Sequence, residues 1–366
     1  MRDTPWNRCT RQRREADTGI TTAWSRRGFA AQLMRSVRQE EMSNPFDYLQ
    51  AKQARWSAPK DVLQELVARA TGRRATALER VVEGYNNEAY VVRTDTPDCF
   101  IIRITRDGES SALEEAWCLR TCADAGVPVP DVIAVESIPT DGGALDAMVL
   151  SKLPGTPLLE LLGSLSSLDQ AHAWRKMGVV LRKIHSVPAG GFYKRGLEGK
   201  WDFPDEAAIA RSSLQSRMAE KPDLLAAGFD ETDVAFMFRM MRYGSSEFGC
   251  PDPVLCHGDF LPEHVFFDGS MNVTGVIDFG WYEGAHPIRD FLQVSIDYGD
   301  REVALLREGY GPSRALDDRF DLHLHLALVP FLIGVVAYKV GTRGASFTDD
   351  ARVLRSTVTW LRKQGV

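Results

Sequence analysis

Two apolar periods divide this chain, and the point where one gives way to the other constrains its fold more than any other feature. Up to residue 151 the apolar residues come in short alternating runs, the spacing of strands. Beyond residue 158 they recur every three or four positions, the spacing of helices. Residues 77–83, 89–94, 100–104, 131–136 and 146–151 read as five strands. In FIIRI (100–104), alternation puts Phe100, Ile102 and Ile104 on one face and Ile101 and Arg103 on the other. A helix is expected from DVLQELVARA, between Pro59 and Gly72, and another over 110–125, ended by Gly126 and the Pro128/Pro130 pair. The first half is thus an α+β arrangement, a five-stranded, mainly antiparallel sheet with one inserted helix. SKLPGTPL (151–158), with two prolines and a glycine, reads as a hinge. Helical spacing then runs over 168–187, 230–242, 287–298, 315–343 and 347–363. The expected organisation is an N-terminal extension and leading segment (1–59), a first lobe (60–150), the hinge (151–158) and a mainly helical lobe (159–366).

Composition excludes several classes. A net charge of −6 lacks the basic excess of a nucleic-acid binder. The six cysteines form no CxxC pair, and Cys118 and Cys122, one helical turn apart, have no second pair to complete a zinc site. Reduced, mostly buried thiols in a cytoplasmic protein are the expectation. The longest apolar stretch, 326–338, is interrupted by Pro330 and falls short of the roughly 20 residues a membrane span needs. It reads as a buried helix, with no membrane partner. Residues 1–41 contain many Arg, no Lys and few acids, and read as an extension without a catalytic part or as a targeting presequence. No GxxxxGK-S/T motif occurs, which argues against a P-loop nucleotidase.

The chemistry concentrates in VLCHGDFLPEHVFFDGSMNVTGVIDFG (254–280). Two strand-like runs, 264–267 and 273–277, flank a turn at 269–272, with Asp259 before the first and Asp278 at the end of the second. A hairpin of this size is expected to bring both carboxylates to one end of the sheet. That suits phosphoryl transfer, which needs a divalent cation on the phosphates and a carboxylate to orient the attacking hydroxyl. Asp278 would be the hard oxygen ligand that Mg²⁺ prefers. Asp259 would accept or position the hydroxyl proton. His264, five residues after Asp259, is placed to reach back as a second metal-facing group, and its nitrogen would favour Mn²⁺ over Mg²⁺.

HGDFLPEH followed by VIDFG resembles the catalytic and metal-binding loops of the aminoglycoside phosphotransferase family, small-molecule kinases of protein-kinase-like fold. His257, Asp259 and Asp278 match its H-x-D and I-D-F/W elements, and His264 stands where most members carry Asn, although members resembling the 2″-aminoglycoside kinases carry His there. EGYNNEAYVV (83–92) resembles the nucleotide-covering loop, which would place Gly84, Asn86 and Asn87 over the phosphates. FIIRI resembles the phosphate-anchoring strand, with Arg103 as the cation. LEEAWCLRTCADAGVPVPDV resembles the helix that follows, with Glu115 as the acid pairing with Arg103 and Glu114 as the fallback. The resemblance covers about residues 60–345.

It implies a two-lobe fold, ATP or GTP as co-substrate, Mg²⁺ or Mn²⁺ as cofactor, and transfer of the γ-phosphate to an alcohol of a small molecule such as an aminoglycoside-like antibiotic. Two alternatives stay open: a metabolic kinase of a sugar, choline or amino alcohol, and a nucleotide-binding scaffold without catalysis. A monomer or weak dimer is expected. The single glycine of the cover loop, HGD in place of HRD, and Arg in place of Lys point away from protein substrates. His257 reads as a structural brace of its loop. Asp290 reads equally as a brace and as a substrate contact. Glu283, Asp297 and Asp300 read either as an acidic wall for a cationic substrate or as a solvated face. His185, His323 and His325 read as ordinary helix residues.

Overall fold

The computed structural model describes residues 57–81, 87–106, 111–140, 143–247, 249–250, 252–316, 319–341 and 346–366. The chain opens with α1 (Lys60–Thr71), β1 (Ala75–Val81), β2 (Asn87–Thr94), β3 (Cys99–Thr105), α2 (Ala112–Asp124), β4 (Val132–Thr140), β5 (Gly143–Ser151) and β6 (Thr156–Pro157). Next come α3 (Leu158–Leu162), α4 (Ser167–Ile184), β7 (Phe192–Arg195), β8 (Trp201–Phe203), α5 (Glu206–Ala219), α6 (Lys221–Ala226) and α7 (Glu231–Glu247). Strands β9 (Val254–Cys256), β10 (Val265–Phe267), β11 (Val273–Val276) and β12 (Glu283–Ala285) precede α8 (Leu292–Asp297), α9 (Asp300–Tyr310), α10 (Phe320–Gly341) and α11 (Thr348–Lys363). Contacts divide these elements into two compact units, the first within residues 57–183 and 261–281, the second within 184–260 and 282–366.

The first unit holds an antiparallel five-stranded sheet of order β1-β2-β3-β5-β4. Pro59 sets the start of α1, and Gly72, at φ +69°, ends it by donating to the Ala68 carbonyl. Leu63, Leu66 and Val67, spaced three and four apart, bury themselves on Tyr90, Val92, Ile102, Ile104 and Val149. Phe100, Ile102 and Ile104 therefore share the α1 face, as alternation requires. The Ser111 hydroxyl caps α2 by accepting from the Glu114 amide, and the helix exits through Gly126 at φ +76°. Strands β4 and β5 run longer than the sequence pattern suggests because they pair with each other out to Thr140↔Gly143. Asn87, expected in a turn, is the first residue of β2 and pairs with Thr105. Gly84 and Asn86 lie outside the described residues.

Segment 151–158 lies within the first unit. Its residues Thr156 and Pro157 pair with Phe267 and Phe266 of β10, which forms a small sheet of order β11-β10-β6. Asp268 turns the β10–β11 hairpin by accepting from the amides of Ser270 and Asn272, each at 2.9 Å. Lys176 of α4 fastens this turn through the Met271 carbonyl at 2.6 Å.

The second unit is mainly helical around a four-stranded sheet of order β8-β7-β12-β9. Helix α10 is its core. It exceeds the apolar stretch read from sequence: at 22 residues it is long and apolar enough to cross a membrane by length and composition alone. Leu324, Leu328, Val329, Leu332, Ile333 and Val336 are instead buried, and the helix packs on α7 and α11. Pro330 is accommodated inside it. Buried Lys339 and half-buried Asp350 form an ion pair at 2.6 Å between α10 and α11. Among the described residues Cys118, Cys122, Cys250 and Cys256 are buried, and burial pushes the Cys250 thiol up to about 12.

Gly155 sits at φ +96°, and a Cβ there would lie 2.4 Å from the Phe267 carbonyl oxygen. Both the left-handed backbone and the close approach of β10 demand glycine. Gly155→Ala is expected to lower stability by about 1–3 kcal/mol, read as a shift of the urea midpoint at unchanged slope.

Candidate active site

In the first unit the site is built around Arg103. Strand alternation turns its side chain away from the α1 core, and only 14% of it remains exposed. Its Nη1 donates to Glu115 of α2, and its Nη2 donates to Asp278 Oδ1 at 2.7 Å. Asn87, with its amide oxygen turned to the guanidinium, accepts from Nη2 at 2.6 Å and from Nε at 3.0 Å. Glu115, rather than Glu114, is thus the partner acid. Three segments far apart in sequence meet on one planar cation, the geometry at which Arg excels.

Asp278 ends the β11 segment in the left-handed region, at φ +67°. For a residue with a Cβ this is uncommon backbone, and such residues gather at functional sites. The turn is fixed from behind, because the Ile277 amide donates to the His264 carbonyl at 3.0 Å. His264 itself closes a short 3-10 turn, Pro262–His264, by donating its amide to Leu261. Its Nε2 stands 3.6 Å from Asp278 Oδ2. That is beyond a hydrogen bond and close to the separation of about 3 Å expected for two ligands of one Mg²⁺-sized ion. One oxygen of Asp278 thus faces Arg103 and the other faces His264. A hard carboxylate oxygen beside an imidazole nitrogen is a donor set that fits a divalent cation.

A second polar centre lies behind β2. Glu88 is fully buried. It accepts from the Ala58 amide at 3.1 Å, from the Tyr90 hydroxyl, and from Nε (2.9 Å) and Nη2 of Arg106. Burial alone would raise this carboxyl, but the hydrogen bonds from Tyr90, Ala58 and Arg106 outweigh it and hold it below its ordinary range. Sequence reasoning missed this cluster. The available signal was an acid sharing a strand face with Tyr90 and Val92.

In the second unit Asp259 follows β9, whose register with β12 pairs Cys256 with Glu283. Asp259 and Asp278 therefore belong to different units. The hairpin joins Asp278 to His264 and does not by itself carry Asp259, whose loop ends before Leu261. That loop is braced by its backbone. Asp290 accepts from the amides of His257 (2.8 Å) and Gly258 (2.7 Å), with Gly258 at φ +82°. His257 is fully buried, and its Nδ1 accepts from the Asp259 amide at 3.2 Å. Asp290 is thus a brace in the structure, which decides between the two readings left open above. Its third donor is His185 Nε2 at 2.9 Å, and His185 Nδ1 stands 3.2 Å from the Tyr310 hydroxyl. His185 is no ordinary helix residue; it lies just past α4 and grips a residue 105 positions away. Burial alone would raise the Asp290 carboxyl, but the His185 hydrogen bond, with the charges of His185, His257 and Arg289, holds it low. His185, Cys256 and Asp290 bring their ligand atoms within 4.8 Å of one another. With His185 and both Asp290 oxygens engaged in hydrogen bonds, the cluster is satisfied as a brace.

The acidic wall does not hold as a set. Glu283 is buried and paired with Arg289, whose guanidinium covers the Phe331 ring. Asp297 is half-buried and accepts from Gln293 at 2.8 Å, while Asp300 is exposed at the start of α9. His325 stacks on Trp360, with ring centroids 3.9 Å apart.

Residues 77–323 match the family described as "Phosphotransferase enzyme family". A curated relative, the uncharacterized protein YcbJ of Bacillus subtilis (strain 168), is 38% identical over 56 residues, 15% of this chain and 18% of that protein. The chain thus matches about a fifth of that relative's length. Among solved structures, a thermostable mutant of aminoglycoside phosphotransferase APH(4)-Ia, in ternary complex with AMP-PNP and hygromycin B, is 14% identical with a TM-score of 0.59, covering 83% of this chain and 98% of that one. The GDP complex of a mutant aminoglycoside 2'-phosphotransferase-IIIa is 15% identical with a TM-score of 0.57, covering 84% and 100%. A proposed fructosamine-3-kinase from Thermobifida fusca YX-ER1 is 18% identical with a TM-score of 0.57, covering 82% and 98%. At these identities the likeness is one of fold, that of the protein-kinase-like phosphotransferases.

Asp290→Asn should cost about 1–3 kcal/mol in urea unfolding at neutral pH, because the amide keeps one acceptor where two amides and an imidazole donate. The folded pKa of Asp290 is depressed. Its contribution is therefore complete above the ordinary carboxylate range and is lost as pH falls through the folded value. Wild-type stability should accordingly drop more steeply than that of Asp290→Asn between about pH 5 and pH 2.

Proposed function

Because this chain belongs to the phosphotransferase enzyme family, we propose that it transfers the γ-phosphoryl group of ATP or GTP to a hydroxyl of a small molecule. A kinase-type phosphotransferase acting on a small molecule is the reading common to the family and its structural neighbours. The observation that carries the finer reading is the convergence of Asn87, Glu115 and Asp278 on Arg103, with His264 on the far oxygen of Asp278. A guanidinium braced by Glu115 is suited to hold phosphate oxygens. Asp278, with His264, would hold the Mg²⁺ or Mn²⁺ ion, which when bound neutralises phosphate charge. Asp259, in a loop held rigid through its backbone, is assigned the acceptor hydroxyl, which it orients and whose proton it takes. The neighbours in complex with AMP-PNP and with GDP support a nucleotide co-substrate, and hygromycin B in one of them supports a polyhydroxylated acceptor. An aminoglycoside-like antibiotic is the acceptor class proposed first.

The reading is tested by nucleotide consumption in the presence of aminoglycosides, macrolides, sugars and amino alcohols. Acceptor-dependent turnover by one class identifies it. Nucleotide binding without consumption, with or without an acceptor, would instead describe a scaffold. Asp259→Asn should lower kcat by about 10²- to 10⁴-fold while leaving nucleotide affinity nearly unchanged. Retained kcat would remove Asp259 from the mechanism. His264→Asn should stay active and narrow the preference for Mn²⁺ over Mg²⁺. An unchanged metal preference would mean that His264 is not a ligand.

A further inference from the structure

The fully buried carboxylate behind β2 has no part in the reading above, yet it adjoins the residues that do. Asn87 and Glu88 are neighbours, so their side chains leave β2 on opposite faces. Asn87 meets the Arg103 guanidinium, while Glu88 points into the α1 core beside Tyr90 and Val92. Across the ladder Glu88 pairs with Ile104 and Asn87 with Thr105, the last residue of β3. Arg106 follows directly and folds back to clasp Glu88 with two nitrogens. Glu88 Oε1 is filled by the Ala58 amide and the Tyr90 hydroxyl, and Oε2 by Arg106.

Stability alone does not call for such a pair. Two charges withdrawn from water into an apolar core gain little over well-packed apolar side chains of similar size. What a two-pronged ion pair supplies and an apolar pair cannot is registry. Among the described residues the β2–β3 ladder runs from Asn87↔Thr105 to Arg93↔Cys99, which puts Asn87 at one end of the described run. Asn87 therefore presents its amide to Arg103 from the outermost described rung. The clasp of Arg106 on Glu88 closes that rung from behind.

We propose that Glu88 and Arg106 are positioning residues whose buried ion pair holds Asn87, and through it the Arg103 guanidinium, in the orientation that receives nucleotide phosphates. This rests on the reading of Arg103 as the phosphate anchor.

The test uses the full chain and the fluorescent N-methylanthraniloyl derivatives of ADP and GDP, with Mg²⁺, in direct titrations. In Glu88→Gln/Arg106→Met the ion pair is gone, while the Gln carbonyl still accepts from Tyr90 and Ala58. This variant should melt within about 5 °C of the wild type. It should bind the nucleotide at least tenfold more weakly, the lower end of the roughly 10–100-fold loss that removing the outer partner of a metal-ligating residue causes. Where an acceptor has been identified, KM for the nucleotide should rise while kcat at saturation holds. Arg106→Lys keeps the charge, loses the fork and should fall between the two. If the wild type binds neither nucleotide, the functional reading itself fails. If the wild type binds and the double variant binds within twofold of it, the functional reading stands and the positioning role is overturned. If the double variant and Arg106→Lys both fail to fold, the pair is a stability element and the positioning role is likewise overturned.

Discussion

A guanidinium set in a nearly dry place must find acceptors for its five N–H groups. Arg103 finds them on the first residue of β2, on α2 and at the end of β11. Each of those segments is short of reasons to stay put on its own. Asn87 stands at the end of the described β2–β3 rungs, Glu115 would be a buried charge without its partner, and Asp278 sits in backbone that L-residues avoid. The shared cation turns three separate weaknesses into one arrangement. Its single positive charge also offsets part of the negative charge of Glu115 and Asp278.

The second unit solves the complementary problem with the signs reversed. There the hub is an anion, Asp290, and what it gathers are donors: two consecutive backbone amides and an imidazole. The grip is on the main chain of the loop that carries Asp259. His257, buried and accepting from the next amide but one, tightens the same turn. Tyr310 extends the network to the end of α9.

Most of the first unit could be read from the sequence. The strands announce themselves by alternation, and Arg103 stands out as a lone cation on an isoleucine-rich strand. What could not be read was anything that depends on a partner far along the chain. His185 looks like any polar residue at a helix end, because nothing near it hints at a carboxylate 105 residues on. Glu88 looks solvent-facing by residue type, and only Arg106 folding back across a strand end makes its burial tolerable. Glu283 looked like surface acid until Arg289 claimed it. The helical spacing over 315–343 marks α10, but its apolar run reads as only 326–338, because Asp321, His323, His325 and Lys339 interrupt it without breaking the helix. In each case periodicity set the element and long-range pairing set the role.

The burial of α10 also has a consequence for how the chain is made. Part of the cover on this apolar helix is α11, which follows it in sequence. During synthesis α10 must therefore emerge before all of the surface that hides it exists. For that interval the nascent chain displays a segment as long and apolar as a membrane span, with Pro330 inside it, to whatever in the cell captures such segments. Its safe passage depends on how quickly the last helix folds over it, with Lys339 and Asp350 as the latch. The sequence of α11 is thus answerable to the timing of biogenesis as well as to the stability of the finished fold.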